Sequence, residues 1–204
     1  MMRNRIVVIS GGSFQGKSLI SLAVAARLKF SGVLSTDAIR NVLHCLYPEK
    51  DYLGTSTYKL SEENLEMQYK DVSKVLQDVI GIYESRGEHM IIEGMHYSPD
   101  FYRWAHQKDF CCICFDNKKT FTERVFLKGI TRTKFSSSIP SALSKITSME
   151  DVKRTSYFKY KERMVDIHRK ILERSRQENF KIISYQNLEE TIGITINHIN
   201  QFFL

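Results

Sequence analysis

Short continuous apolar runs alternate along this chain with longer segments in which apolar residues recur every three or four positions. Such runs lie at 6–9, 33–34, 90–92, 110–115 and 182–183, within strands predicted over 6–9, 33–35, 90–94, 110–115 and 180–184. Uninterrupted apolar runs of this length are typical of strands buried on both faces, and a spacing of three or four is typical of amphipathic helices. The pattern therefore predicts five strands that alternate with helices.

The helical spacing predicts helices over about 17–30, 38–46, 61–87, 100–106, 120–127, 151–177 and 188–203. Residues 48–60 are predicted as a polar loop. Residues 129–148, which are rich in Ser and Thr, are predicted as a mobile segment. Alternation of strands and helices predicts one domain over residues 1–204, a doubly wound α/β fold with a five-stranded, mainly parallel sheet. In such sheets ligands bind beyond the carboxyl ends of the strands.

A glycine-rich loop follows the first predicted strand. Gly11, four further residues and then Gly16-Lys17-Ser18 complete the phosphate-loop pattern G-x-x-x-x-G-K-[ST]. Backbone N–H groups of such a loop point at a bound phosphate, the lysine reaches the outer phosphates, and the serine hydroxyl can bind Mg²⁺. The predicted nucleotide-binding residues are Gly11, Gly12, Ser13, Phe14, Gln15, Gly16, Lys17, Ser18 and Leu19.

Two charged side chains, Asp37 and Arg40, follow the second predicted strand one helical turn apart. Asp37 either accepts or orients the proton of a substrate hydroxyl, or simply caps the helix. Arg40 either binds a phosphate or carboxylate of an acceptor, or forms an ordinary helix ion pair. Position alone leaves both pairs of alternatives open.

The third predicted strand ends in an acid, Glu93, and His96 follows it. An acid at this position in phosphate-loop proteins often faces Mg²⁺ through water, so Ser18 and Glu93 are the predicted metal-binding residues. His96 is interpreted either as a substrate contact or as a structural histidine.

Arg124 and Arg132 border the predicted mobile segment. They form either a positive ridge beside the nucleotide phosphates or a solvated basic face. A lid at about 124–148 that carries these arginines would exclude water and stabilise the transferring group. The candidate catalytic residues are Lys17, Asp37, Arg124 and Arg132.

The formal net charge of +7 fits either a nucleic-acid surface or a site for polyanionic small molecules. No apolar run approaches the length of a membrane span, and the first residues lack a secretory pattern, so a cytoplasmic location is expected. Three cysteines lie close together at 111, 112 and 114. Since side chains alternate faces along a strand, Cys111 and Cys114 would point apart, and these thiols are interpreted as small core residues.

Three segments together resemble the 2-phosphoglycerate kinase family. They are Leu34-Ser35-Thr36-Asp37-Ala38-Ile39-Arg40, Gly54-Thr55-Ser56-Thr57-Tyr58 and Ile91-Ile92-Glu93-Gly94-Met95-His96. The resemblance implies a three-layer, nucleoside-monophosphate-kinase-like P-loop fold and a small-molecule kinase that uses ATP and Mg²⁺. It also implies that Asp37 handles the acceptor hydroxyl and that Arg40 binds an anionic group of the acceptor. The residues implied to line the acceptor pocket are Tyr58, Glu93 and His96.

Phe14 departs from the family pattern, because such phosphate loops commonly carry glycine there and a positive φ would resist phenylalanine. The leading hypothesis is an ATP-dependent kinase of a small phosphorylated or carboxylated acceptor such as 2-phosphoglycerate. One alternative, favoured by the positive charge, is a kinase of nucleosides, nucleotides or nucleic-acid ends. Another, favoured by Phe14, is a nucleotide-binding regulatory protein without turnover.

Overall fold

Five parallel strands form the centre of the fold in a computed structural model that describes residues 5–127 and 148–204. The strands are β1 (Ile6–Ser10), β2 (Gly32–Ser35), β3 (Met90–Gly94), β4 (Cys111–Asn117) and β5 (Lys181–Tyr185). Their order is β2-β3-β1-β4-β5, and all neighbouring pairs are parallel. The predicted sheet is confirmed, and β1 lies at its centre.

Within the described residues, helices cover both faces of the sheet. They are α1 (Lys17–Leu28), α2 (Thr36–Leu46), α3 (Asp51–Gly54), α4 (Glu62–Arg86), α5 (Pro99–Gln107), α6 (described over 121–127), α7 (Met149–Lys153), α8 (Ser156–Lys159), α9 (Lys161–Gln177) and α10 (Leu188–Phe203). Of these, α6, α7 and α8 pack around Phe14 of the phosphate loop. Helices α1 and α10 share one core with the sheet, while α4, α5 and α9 cover the opposite face. The three-layer α/β/α architecture is thereby confirmed.

The central strands are apolar because both of their faces are buried. In β4, Cys111 packs in the core under α1 and α10, whereas Cys112 and Cys114 pack on the other face. All three cysteines are buried, and burial raises the pKa of the Cys111 thiol to about 12. These thiols fill the core as predicted.

The segment predicted as a polar loop, residues 48–60, contains α3 and a short 3₁₀ turn at Thr57–Lys59. The reason lies in α4, where the buried Gln68 side chain donates hydrogen bonds to the carbonyl oxygens of Tyr52 and Thr55. A glutamine beyond the segment thus supplies hydrogen bonds that local sequence does not reveal.

The single helix predicted over 151–177 is wrong, because the chain there forms α7, α8 and α9. Ser148 and Asp151 form a capping box at the start of α7, and the Thr155 hydroxyl donates to the carbonyl oxygen of Val152 near its end. The break turns Tyr157 toward the phosphate loop, where its ring packs on Phe14.

Most of the predicted mobile segment and of the possible lid, as well as Arg132, lies outside the described residues. Within the part that the structure describes, no helix is both long enough and apolar enough to cross a membrane.

Candidate nucleotide and acceptor site

The phosphate loop leaves the carboxyl end of β1 and leads directly into α1. Its lysine folds back over the loop, with Lys17 Nζ donating to the carbonyl oxygen of Gly12 at 2.8 Å. Burial lowers the pKa of Lys17, and the nearby carboxylates of Glu93 and Asp37 partly offset that effect. The loop therefore presents a cation and an open helix N-terminus at one place, which suits phosphate oxygens.

Side chains of the loop anchor it to its surroundings. Gln15 is fully buried, and its Oε1 accepts a hydrogen bond from the backbone N–H of Asn117 at 2.6 Å. Ser13 Oγ donates to the Met95 sulfur at 3.7 Å, and the Leu19 side chain is exposed. Within the described ranges, Gln15 Nε2 has no hydrogen-bond partner in the protein.

Phe14 has φ of 64°, so it occupies the left-handed region in which its bulk was expected to be resisted. Its ring is buried in edge contacts, 5.7 Å from the Phe121 ring and 5.3 Å from the Tyr157 ring. The left-handed backbone costs an L-residue about 1–2 kcal/mol, less than burial of a phenyl ring provides. The departure from glycine thus reflects an anchored loop.

Tyr58 belongs to the same group of rings, which we call the aromatic cluster and define as Phe14, Tyr58, Phe121, Tyr157 and Tyr160. The Tyr58 ring lies 6.1 Å from that of Tyr157 and 5.2 Å from that of Tyr160. The cluster therefore connects the phosphate loop to the turn at Thr57–Lys59, which overlaps the end of the resembling segment at 54–58.

Ser18 and Glu93, the predicted metal-binding residues, contact each other directly. Ser18 Oγ donates to Glu93 Oε1 at 3.0 Å, and the Glu93 side chain is buried at the end of β3. The register explains the meeting, because Glu93 lies beside Ile9, next to the strand end from which the loop departs. Hydroxyl and carboxylate oxygens fit Mg²⁺, directly or through water. In the described ranges no group of three or more His, Cys, Asp or Glu side chains could hold a metal ion.

Asp37 and Arg40 lie together at the start of α2. The cap of this helix is Ser35, whose Oγ accepts from the backbone N–H of Asp37, so the alternative that Asp37 is the N-cap is wrong. The Asp37 side chain is 64% exposed, with Oδ1 3.5 Å from Arg40 Nε. Asp37 also acts to raise the pKa of Lys17, so its charge reaches the phosphate loop. The ion pair predicted as one alternative is present beside the loop.

Arg40 itself is held in place. Its side chain is only 14% exposed, and its Nη1 donates to the carbonyl oxygen of Leu53 at 2.5 Å. A guanidinium fixed in this way keeps other N–H groups for a partner, because it carries five donors.

His96 lies between Thr36 at the start of α2 and Thr57 in the 3₁₀ turn. It is fully buried, with Nδ1 2.8 Å from Thr36 Oγ1 and Nε2 2.9 Å from Thr57 Oγ1. Burial lowers its pKa to about 4, so the ring is neutral at physiological pH. Both ring nitrogens are engaged, so the structure places His96 as a buried residue that joins Thr36 to Thr57, in contrast to the expectation that it lines an acceptor pocket.

Gly94 explains why two of the resembling segments lie so close together. A Cβ added at Gly94 would lie 1.8 Å from Thr36 Oγ1, which no side chain could tolerate. The same Thr36 hydroxyl accepts a hydrogen bond from the backbone N–H of Met95 at 3.3 Å. The segment around Thr36 and the segment around Gly94 are therefore interlocked parts of one site.

His168, in the middle of α9, is a site residue that sequence reasoning missed. Gly12 N–H donates to its Nδ1 at 3.2 Å, and its Nε2 donates to Asp116 Oδ1 at 3.3 Å. A Cβ on Gly12 would lie 2.7 Å from the His168 Cβ, so only glycine fits this contact. The one available signal was a histidine on the apolar face between Met164 and Ile171.

Arg124 lies near the same carboxylate. It is 9% exposed, and burial lowers its pKa while the Asp116 charge partly offsets this. It thus places a buried positive charge close to the loop anchor formed by His168 and Asp116. Its predicted partner in a positive ridge, Arg132, lies outside the described residues.

The fold is shared with a solved gluconokinase from Sinorhizobium meliloti, with a TM-score of 0.54 at 13% sequence identity, covering 98% of this chain and 93% of that one. The arrangement of a central parallel sheet with a phosphate loop after β1 is that of an α/β P-loop NTPase, as predicted. No family model matches the chain.

Several 2-phosphoglycerate kinases are 24–26% identical to this chain over 92–98% of its length. The one from Pyrococcus horikoshii is 25% identical over 212 residues, which cover 96% of this chain. Mevalonate-3-phosphate 5-kinase from Thermoplasma acidophilum is 31% identical over 110 residues, or 48% of this chain. The matches span 62–64% of the length of the former enzymes and 54% of the latter. The predicted resemblance to the 2-phosphoglycerate kinase family is confirmed.

Proposed function

We propose that this chain is a P-loop kinase domain that transfers a phosphoryl group from ATP to a small anionic acceptor, 2-phosphoglycerate or a similar compound, in the cytoplasm. The observation that carries the proposal is the convergence of Lys17, the Ser18–Glu93 pair and the Asp37–Arg40 pair at one edge of the sheet. Phosphoryl transfer needs bound phosphates, a metal site, positive charge and an oriented nucleophile, and these groups can supply all four.

The nucleotide half of the site is assigned to the loop. Backbone N–H groups of residues 13–18 would hold the ATP phosphates, since that of Gly12 is bonded to His168, and Lys17 would neutralise charge on the transferring group. Ser18 and Glu93 would hold Mg²⁺, and the ion would supply positive charge that offsets the negative charge developing on the transferring phosphoryl group. Arg124 lies close enough to the loop anchor to add positive charge on the nucleotide side.

The acceptor half is assigned to the start of α2. The acceptor hydroxyl oxygen would bond to the γ-phosphorus of ATP as its proton passes to the Asp37 carboxylate, and the bond from that phosphorus to the bridging oxygen would break to leave ADP. Arg40 would bind the anionic group of the acceptor through the N–H groups not used on Leu53. The exposed carboxylate of Asp37 is open to such a substrate.

The relatives support an acceptor that already carries a phosphate. The substrates in their names, 2-phosphoglycerate and mevalonate 3-phosphate, both combine a phosphate, a carboxylate and a free hydroxyl. A fixed guanidinium beside a carboxylate suits this combination, since arginine binds either anion bidentately while the carboxylate takes the hydroxyl proton.

A nucleic-acid acceptor has less support from the basic helix α9. Arg163 and Lys170 both contact Glu62, and Arg169 contacts Asp166. Charges paired in this way contribute little to a field that attracts phosphate backbones. The positive net charge therefore supports a nucleic-acid acceptor less strongly than the sequence alone suggests.

A coupled ADP-release assay tests the proposal with MgATP and a panel of 2-phosphoglycerate, mevalonate 3-phosphate, nucleosides and a DNA oligonucleotide. We expect turnover with at least one phosphorylated carboxylic acid, and none in the Lys17→Ala variant, which should also bind ATP more weakly. Turnover confined to nucleosides or oligonucleotides would overturn the assigned acceptor class. Equal turnover in wild type and Lys17→Ala would overturn the assigned nucleotide site.

A further inference from the structure

A chain of buried hydrogen bonds runs through His96 and links the end of β3 to α4. Met95 N–H donates to Thr36 Oγ1, which lies 2.8 Å from His96 Nδ1. On the other side of the ring, His96 Nε2 lies 2.9 Å from Thr57 Oγ1, which donates to Gln68 Oε1 at 3.0 Å. Thr36, Thr57, Gln68 and His96 are all buried, so water does not compete for these bonds.

The donor and acceptor in each of these hydrogen bonds follow from the number of protons available. The Thr57 hydroxyl gives its only proton to Gln68, so it must accept from a proton on His96 Nε2. His96 Nδ1 then carries a lone pair, which accepts from the Thr36 hydroxyl. Gln68 is oriented independently, because its Nε2 donates to two backbone carbonyl oxygens that can only accept. The structure thus assigns a neutral His96 with its proton on Nε2.

These hydrogen bonds extend through α3 to Arg40, the proposed acceptor-binding arginine. The two carbonyl oxygens that Gln68 holds belong to Tyr52 and Thr55, which flank Leu53 in α3. The Leu53 carbonyl oxygen in turn accepts from Arg40 Nη1. The position of the guanidinium therefore depends on α3, and the position of α3 depends on the side chain that His96 and Thr57 orient.

We propose that His96 is a positioning residue for acceptor recognition, which fixes α3 and the turn at Thr57–Lys59 against α2 and thereby places Arg40. This inference rests on the proposed function, since it deepens the assignment of the acceptor half of the site. His96 touches no reacting atom, and its loss acts through displacement of Arg40. The phosphate loop touches the turn at Thr57–Lys59 through the aromatic cluster, but its hydrogen-bonded anchors, Gln15 and His168, lie outside this network, so we expect the loop to keep its geometry.

The kinetic test compares Thr57→Val, which removes the hydroxyl but keeps the shape, with Thr57→Ser, which keeps the hydroxyl. We expect Thr57→Val and His96→Asn to raise the KM for 2-phosphoglycerate by about tenfold or more, the scale of a lost buried hydrogen bond. The KM for ATP and kcat should stay near wild type, and Thr57→Ser should restore the acceptor KM. The exposed His106, changed to Asn, serves as the control. Parallel increases in both KM values would overturn the inference.

Hydrogen exchange tests the same inference without turnover. In Thr57→Val and His96→Asn, amides of residues 52–59 should exchange about tenfold faster or more, because the bonds that hold this segment are lost. Amides of residues 11–18 should exchange as in wild type, and Thr57→Ser should show wild-type rates throughout. A uniform increase over the whole chain, or no increase at 52–59, would overturn the positioning role. Absence of any kinase turnover in wild type would count against the proposed function, while these exchange rates would still decide the role of His96.

The tautomer can be read directly by ¹⁵N NMR of the imidazole. We expect a neutral ring protonated on Nε2 at neutral pH and still neutral at pH about 6, where an ordinary histidine is largely charged. A proton on Nδ1, or an imidazolium at that pH, would overturn the directed chain on which the inference depends.

Discussion

Replacement of Phe14 by alanine and by glycine separates the two opposing energies at this residue. The φ of 64° favours glycine, while the buried ring in contact with Phe121 and Tyr157 favours phenylalanine. At most buried positions alanine is the more stable of the two replacements, because glycine has more freedom in the unfolded chain. At Phe14 we expect the reverse order.

The magnitudes follow from the structure. Removal of a phenyl ring that is 8% exposed should cost about 3–5 kcal/mol in either variant. Alanine keeps the left-handed strain of about 1–2 kcal/mol, which glycine does not carry. The glycine variant is destabilised relative to the alanine variant by about 0.4–1 kcal/mol, because glycine has more conformational freedom in the unfolded chain. The net expectation is that Phe14→Gly is about 0.5–1 kcal/mol more stable than Phe14→Ala, with both well below wild type.

Urea denaturation at equilibrium measures these differences, and Phe30 provides the matched control. Phe30 is 9% exposed and, unlike Phe14, is not among the described residues with positive φ. Its alanine variant should therefore be more stable than its glycine variant. If Phe14→Ala proved more stable than Phe14→Gly, the loop would not depend on the left-handed backbone at this residue, and the explanation given for Phe14 would fail.

Asp37 and the two buried histidines give two further tests. Asp37→Asn should lower kcat by about 100-fold, the scale of a lost acid–base group, with ATP affinity unchanged by calorimetry; equal loss of both would make Asp37 structural or metal-linked. Burial lowers the pKa of His96 and of His168 to about 4, below the value of about 6.5 in the unfolded chain. The unfolding free energy is therefore at its full value above pH about 6.5 and decreases as the pH falls toward 4. At pH 5 each histidine should cost about 2 kcal/mol of unfolding free energy, which urea titrations at pH 8 and 5 would detect. If the decrease in unfolding free energy between pH 8 and 5 were the same after replacement of both histidines, their protonation would not be its cause.

The strands and the phosphate loop were predictable because their signals are local. The apolar run at 6–9 and the spacing of Gly11 and Gly16 are contained in a few residues, and the helix predicted over 188–203 was confirmed at both ends. The parallel order of the strands then brings Glu93 to Ser18, as the rule of carboxyl-end binding implies.

The break between α7 and α9 and the role of His96 were not predictable in the same way. Tyr157 leaves the helical pattern to pack on Phe14, a partner far away in the sequence. His96 is bonded to Thr36 and Thr57, which lie 60 and 39 residues earlier. Its own neighbours in sequence therefore show a histidine after an acid, which resembles a substrate contact, and only the tertiary structure shows that the ring is enclosed.

The hydrogen bond from Gly12 to His168 has a consequence for the order in which the molecule assembles. It joins two residues 156 positions apart, so the front of the nucleotide site is completed only when α9 has docked. β1 likewise forms the centre of the sheet between β3 and β4, which follow much later in the chain. Because contacts between distant residues form slowly, we expect the phosphate loop to be among the last parts to acquire its native shape, although it is encoded first. ATP would then bind and stabilise the protein only after most of the fold has formed.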